Sequence, residues 1–220
     1  MIALDPAKVD KPSMYAFFMS AVVPRPVAFV SSVGSTTGVN LSPYSYFNIM
    51  GHNPPTLTIG MCRSTSRGGG KKDSQLNIEE TGEFVVNIIS EWCIEAAHHS
   101  CGEFDRGVNE MELAGLTPVD STIVRAPRVG EAAVALECKL RGTHDVDDSS
   151  GKPSGTIMIA EVVMIHVAEA VTGRTPTGKL IVDPVLLAPV SRLGGLTYGK
   201  TLELYDLGKP DKNGVYKSKK

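Results

Sequence analysis

EAAVALECKLRG (Glu131–Gly142) and TIMIAEVVMIHVAE (Thr156–Glu169), separated by the polar run HDVDDSSGKPSG (His144–Gly155), decide the reading of the fold. Each flanking segment is rich in aliphatic and β-branched residues, and together they read as a long hairpin with a mobile tip. Working outward, short β-branched or aromatic runs bounded by Gly, Pro, Ser and Asn predict further strands at Pro26–Val33, Val39–Phe47, Thr56–Cys62 and Glu83–Ile89. Helical signals are few. One helix is expected over Asp73–Thr81, started by an Asp/Ser cap and stopped by Gly82, and another over Glu91–Cys101. Strands and helices do not alternate regularly, which argues against a doubly wound parallel sheet. A mainly β, antiparallel barrel with a few flanking helices fits better.

Composition narrows the partners. The 220 residues carry 22 basic and 24 acidic groups, a formal charge of −2, so a protein that grips nucleic acid mainly through phosphates is not expected. The one dense basic run, Lys217 to Lys220, is a terminus rather than a groove. No run reaches the roughly 18 apolar residues of a membrane span, and Asp5 and Pro6 interrupt any secretory signal, so a cytoplasmic protein without membrane contact is expected. Cys62, Cys93, Cys101 and Cys138 have no Cys-x-x-Cys spacing and read as reduced, mostly buried thiols. Ile94, Ala97, His98 and Cys101 share a helical face, which reads as packing because further ligands at metal spacing are lacking, and no metal is assigned. PVLLAPVSRLGGLTYGK (Pro184–Lys200) reads as an ordered extension with a tight Gly194-Gly195 turn. One domain over 1–205 is expected, with 206–220 a frayed tail.

No dinucleotide fingerprint, Walker loop, zinc-protease or nucleophile-elbow motif is present. Two segments stand out instead. CRSTSRGGGKKDS (Cys62–Ser74) places hydroxyls, glycines, Arg63, Arg67, Lys71 and Lys72 just ahead of a helix start. Such a loop either holds an anion at the positive end of the helix or is a polar linker in which Asp73 or Ser74 caps the helix. NLSPYSYFN (Asn40–Asn48) interrupts a strand-like run with small polar residues, and is either the lining of a flat aromatic ligand or an edge strand with a bulge at Pro43.

The ordered series Arg25-Pro26-Val27 with FVSS, Asn40 to Phe47, Pro54-Pro55, Lys72-Asp73-Ser74 with Asn77-Ile78, and Gly82-Glu83-Phe84-Val85-Val86-Asn87 resembles the flavin reductase-like FMN-binding proteins. The likeness continues through Gly107-Val108-Asn109-Glu110, Ala114 to Thr117, Glu137 to Leu140 and Arg192 to Gly195 with Tyr198. It implies a split β-barrel that forms a homodimer and binds FMN near the subunit interface. By the same resemblance Asn40, Leu41, Ser42, Ser45 and Tyr46 would touch the isoalloxazine or ribityl chain, and Arg63, Lys72, Asp73 and Ser74 would surround the phosphate. His166 would approach the flavin or nicotinamide, or be a satisfied barrel histidine. Arg192 and Tyr198 would close over the cofactor or anchor the C-terminal segment. The implied activity is hydride transfer from NADH or NADPH to the flavin and onward to a small-molecule acceptor, with no catalytic side chain required. An FMN-binding electron carrier without nicotinamide turnover and an interaction protein that has lost its cofactor are the rival readings.

Overall fold

In the computed structural model, residues 1–214 are described. The opening segment forms a 3-10 turn at Pro6–Lys8 and helix α1 (Lys11–Ala21). The strands that follow are β1 (Arg25–Pro26), β2 (Ala28–Gly34), β3 (Gly38–Tyr44), β4 (Phe47–His52) and β5 (Pro55–Cys62). Next come α2 (Asp73–Thr81), β6 (Glu83–Ile88), α3 (Ile94–His99) and α4 (Glu110–Leu113), then the short β7 (Pro118–Val119) and β8 (Arg128–Val129). The long β9 (Val134–Asp147) and β10 (Pro153–Val167) precede β11 (Thr172–Arg174), β12 (Leu180–Val182), α5 (Pro184–Leu187), β13 (Val190–Gly194) and β14 (Thr197–Lys200).

Seven strands form one antiparallel sheet in the order β3-β2-β6-β9-β10-β5-β4. The sheet rolls on itself, so that Tyr44 of β3 shares one buried cluster with Leu57, Ile59 and Met61 of β5. Ala28, Val30, Phe84, Val86, Met158 and Ala160 complete this interior, and α2 closes it with Ile78. The outer face of β2 and β3 is covered separately. Phe29 and Leu41 pack there with Cys93, Ala97 and Met111 from the segment that contains α3 and α4, and with Val190 of β13. A smaller three-stranded sheet, β1-β13-β14, brings the C-terminal hairpin back beside the start of the barrel.

Several sequence-based expectations are shifted. The polar run between β9 and β10 is not a long tip: the ladder reaches Asp147 and Pro153, and only a tight turn remains, where Asp148 accepts from the N–H groups of Ser150 and Lys152. The expected strand through Phe47 ends at Tyr44, and Phe47 instead opens β4. Pro43 lies on the edge strand β3 opposite Phe29 with no bulge, its missing N–H costing no ladder bond that another strand would have taken. The expected helix over Glu91–Cys101 contracts to a 3-10 turn at Glu91–Cys93 followed by α3. Gly82 ends α2 as expected, in the left-handed region at φ 73° with its N–H on Ile78 O at 2.8 Å. Two thiols, Cys93 and Cys138, are buried, whereas Cys62 and Cys101 are exposed. The basic run Lys217 to Lys220, and with it the end of the 206–220 tail, lies outside the described residues.

One buried polar group fixes the β7–β9 region. Glu137 on β9 is fully buried and accepts from the N–H groups of Thr122 (2.7 Å), Ile123 (2.6 Å) and Val124 (2.9 Å), with His166 Nε2 at 2.6 Å. Burial alone would push this carboxyl up, but the Thr122 N–H, His166 and the Val124 and Ile123 N–H groups outweigh it and hold it at about 2, against 4.5 ordinarily. A folded value below the unfolded one contributes stability that is present above about pH 4.5 and lost as the pH falls toward 2. The expected contribution at neutral pH is about 3 kcal/mol. Urea unfolding of wild type should therefore weaken between pH 5 and pH 2 by about that much more than that of Glu137→Gln; parallel pH profiles would show that the carboxylate is not the anchor.

Candidate functional site

The roll of the sheet leaves the end of β3 facing the loop that runs from β5 to α2. Two cavities meet there. The first, of about 120 Å³, is lined by Asn40, Ser42, Tyr44, Ser64, Ser66, Lys72 and Ser74 together with Arg67, Asp73, Glu103, Phe104 and Glu110. The second, of about 270 Å³, is lined by Tyr15, Met19, Arg25, Tyr44, Ser45, Tyr46, Gly60, Cys62, Lys72 and Arg192. Tyr44 and Lys72 belong to both, with the Lys72 ammonium 5.4 Å from the centre of the Tyr44 ring. Gly60 is there for want of space: an added Cβ would stand 3.0 Å from Cβ of Tyr46.

The start of α2 differs from the expectation in one respect. Lys72, not Asp73 or Ser74, is the N-cap residue, and no side chain caps the helix. Ser74 Oγ instead accepts from Asn40 Nδ2 at 2.8 Å, which ties α2 to β3. Asp73 is nearly buried as the first helical residue. It pairs with Arg67 through both carboxylate oxygens and with Arg106 at 2.8 Å, while Arg67 also donates to Phe104 O at 3.2 Å. Three segments that wall the first cavity, the 64–70 loop, the start of α2 and the 104–106 loop, are thereby held on one carboxylate. The loop itself is closed by a bridge between Ser64 and Gly70.

Glu110 is the other acid of this cavity. It is buried, and its Oε2 accepts from the Leu41 N–H at 2.9 Å, so it fixes β3 where Asn40 and Ser42 flank the cavity. Burial pushes its carboxyl up despite that hydrogen bond. Burial likewise pushes up the Tyr44 phenol.

Of the twelve residues singled out from the sequence, Asn40, Ser42, Lys72, Asp73 and Ser74 line the first cavity, and Ser45, Tyr46 and Arg192 join Lys72 at the second. Leu41 turns its side chain into the core beside Phe29 and offers only its N–H to Glu110. Arg63 lines neither cavity: its guanidinium goes to Gln75 Oε1 at 3.1 Å and Asp145 at 3.4 Å, bracing α2 against β9. His166 also lines neither cavity; its Nε2 lies 2.6 Å from Glu137 Oε1. Tyr198 stands behind the second cavity, with its ring 4.5 Å from the Arg192 guanidinium and its hydroxyl 3.1 Å from His98 Nδ1. Arg25, Arg106 and Glu110 were not singled out. Arg25 and Glu110 entered the reading only as members of the motif series, and only the fold brings them to the cavities and Arg106 to Asp73. Among the described residues, no group of three or more His, Cys, Asp or Glu is placed to hold a metal ion, and no helix is long and apolar enough to cross a membrane.

Comparison with known proteins places the chain. The model of the flavin reductase like domain matches residues 19–187. The chain belongs to that family. It is similar to component B of nitrilotriacetate monooxygenase from Bacillus cereus, with 34% identity, a TM-score of 0.86 and coverage of 94% of this chain and 98% of that one. It is also similar to 2-nitrobenzoate 2-nitroreductase NbaA from Pseudomonas fluorescens, with 29% identity, a TM-score of 0.81 and coverage of 96% and 98%. A protein with a split barrel domain from Shewanella frigidimarina shares the fold at 22% identity and a TM-score of 0.76, covering 92% of this chain and 95% of that one. The rolled seven-stranded sheet is thus the split barrel of this family.

The Asp73 pairing carries its own test. Asp73→Ala should lower unfolding stability by about 2 kcal/mol, in the range for charge-assisted hydrogen bonds. Amide exchange should accelerate together in the 64–70 and 104–106 segments; acceleration in one segment alone would mean that the carboxylate does not link them.

Proposed function

We propose that this protein is an FMN-dependent oxidoreductase that takes a hydride from NADH or NADPH and passes the electrons to a small-molecule acceptor. The observation that carries the reading is the junction at Tyr44 and Lys72. It joins a chamber that holds the Asn40 amide and the hydroxyls of Ser42, Ser64, Ser66 and Ser74 to one walled by Tyr15, Tyr44 and Tyr46, and FMN has the same two halves, a phosphorylated polyol and a flat ring.

The residues fit that cofactor. The N-terminal turn of α2 has no side-chain cap, so its first N–H groups can bind a phosphate. Lys72 adds a cation that no carboxylate pairs with among the described residues, and Ser64, Ser66 and Ser74 add hydroxyls. Asn40 and Ser42 suit the polyol chain, and Ser45 and Tyr46 the ring. Asp73 would repel a phosphate if its charge were free, but Arg67 and Arg106 neutralise it. Bound FMN would supply the electron chemistry. The chain's residues would bind, orient and shield the reacting partners, and no side chain need act as acid or base.

The domain is proposed to span 1–205 and to act in the cytoplasm, with four unpaired thiols consistent with a reducing compartment. A homodimer is proposed as well. Tyr15, Phe17 and Phe18 of α1 and Ile49 and Met50 of β4 are exposed, Tyr15 also lines the second cavity, and β4 is an edge strand. A twofold pairing over this patch would cover apolar surface and add a wall to each site. Light scattering should give twice the 23.4 kDa chain mass, and a monomer that binds FMN fully would refute the pairing.

Two titrations test the cofactor. Lys72→Ala should weaken FMN binding about 10- to 150-fold, the equivalent of a charge-assisted hydrogen bond, and hardly change the weak binding of riboflavin. Equal loss for both ligands would place the phosphate elsewhere. Anaerobic NADPH or NADH should bleach the bound flavin; flavin that binds but stays oxidised with both donors would favour the electron carrier, and no flavin binding the interaction protein.

A further inference from the structure

Glu110 enters the first cavity with one carboxylate oxygen committed and the other free. The residue is 6% exposed, and its Oε2 accepts from the Leu41 N–H at 2.9 Å. Its Oε1 has no hydrogen bond or ion pair among the described residues, yet it is not sealed off. The buried side-chain nitrogens and oxygens without a partner are Arg25 Nε, Ser90 Oγ and Arg192 Nη1, and Glu110 Oε1 is not one of them. The first cavity, which Glu110 lines, is the space that this oxygen faces.

Holding β3 does not account for a carboxylate here. The Leu41 N–H needs one acceptor, which a neutral amide would supply, whereas a carboxylate taken out of water with an oxygen unused is costly. No cation of the cavity answers it. Arg67 is spent on Asp73, as Arg106 is from outside, and the Lys72 ammonium stands over the Tyr44 ring. Burial accordingly pushes the Glu110 carboxyl up.

The free oxygen therefore suits a ligand group that donates. A phosphate brought to it would be repelled, and an alkyl group would leave it unsatisfied, but a hydroxyl would donate to it. The neighbours of Leu41 on β3, Asn40 and Ser42, line the same cavity, so an amide, a hydroxyl and the free carboxylate oxygen are offered to one ligand segment. The uncapped turn of α2, Lys72, Ser64 and Ser66 come from the helix and loop instead. We propose that Glu110 selects the hydroxylated chain of the flavin: Oε1 accepts from one ribityl hydroxyl, and its charge keeps the phosphate on the Lys72 side. The inference rests on the flavin reading and gives the polyol a charged partner that also sets which way the chain lies.

Glu110→Gln tests this, because its amide oxygen can still accept from Leu41 while the charge is gone. Fluorescence titrations compare riboflavin with lumiflavin, which keeps the ring and carries a methyl group in place of the ribityl chain. The variant should bind riboflavin about tenfold more weakly, the equivalent of a charge-assisted hydrogen bond, and should hardly change lumiflavin binding. FMN should lose less than riboflavin, since the same substitution removes a charge that opposes its phosphate. Equal losses for riboflavin and lumiflavin, or no loss for either, would overturn the proposal and leave Glu110 as a support for β3 alone. A second measurement needs no variant: infrared difference spectra of wild type should show a carboxyl band that riboflavin shifts and lumiflavin does not. Identical carboxyl bands with the two ligands would also sink the proposal. Wild type that binds neither FMN nor riboflavin would remove the flavin reading and this inference together, whereas the riboflavin and lumiflavin comparison can fail while FMN still binds, so the two failures are distinguishable.

Discussion

The ladder between β9 and β10 is the constraint on which the barrel depends. It runs from Val134 opposite Val167 to Asp147 opposite Pro153, and its register shifts three times, next to Gly155, Ala160 and Met164. Each irregularity adds local twist and bends the strand. A flat ladder of this length would leave β5 and β3 at opposite ends of an open sheet. The bent one lets the first half of β10 pair with β5 while β9 pairs with β6, and the two ends come together around Met158 and Ala160. Glu137 lies opposite Met164, beside one of these shifts, where it takes the three N–H groups of the 122–124 loop that the sheet cannot satisfy.

The cleft follows from how the roll ends. β3 is an edge strand, and Pro43 marks it as one, because no further strand could use the position. The structure covers that edge with α2 and α4 rather than with another strand: Ser74 meets Asn40, and Glu110 meets the Leu41 N–H. Covering an edge with helix ends brings an uncapped N-terminus and a buried carboxylate to the same few ångströms. The Asp73 pairing then decides which charges are free in this space. With Arg67 and Arg106 both engaged on Asp73, Lys72 is the cation left to face a ligand.

Periodicity and turn chemistry made most of this legible. Strand type was readable in six places because β-branched runs were punctuated by Gly, Pro and Asn, and α2 was readable because Gly82 gives a definite stop. What escaped has a physical reason in each case. α1 begins with Asp10 accepting from the Ser13 N–H and has Pro12 in its first turn, a start signal. Yet its apolar residues Tyr15, Phe17 and Phe18 lie exposed in this chain, so no buried stripe announces the helix. β4 escaped because all but its first residue are exposed, leaving no alternation to read. In the site, the order of polar residues in Asn40–Tyr46 and Lys72–Ser74 was visible. Which arginine would be spent on a carboxylate was not, because Arg63, Arg67 and Arg106 are equivalent in sequence and differ only in what the fold sets beside them.

Charge is divided unevenly along the cleft. The first cavity carries its own acids, Asp73, Glu103 and Glu110, and Arg67 and Arg106 are spent on Asp73, which leaves Lys72 unpaired there. The second has Arg25, Arg192 and Lys72 with none. Coulomb interaction between unit charges a few ångströms apart is worth several times more in a half-buried cleft than in water, so the second cavity is where excess positive potential is strongest. The main-chain carbonyls of Met19, Val22 and Gly195 hold the two arginines without neutralising them. Dipoles used in place of carboxylates keep the cations in position and leave their charge available. That is the difference between an arginine that supports a wall, as Arg67 does, and one that presents its charge to the cleft, as Arg25 and Arg192 do.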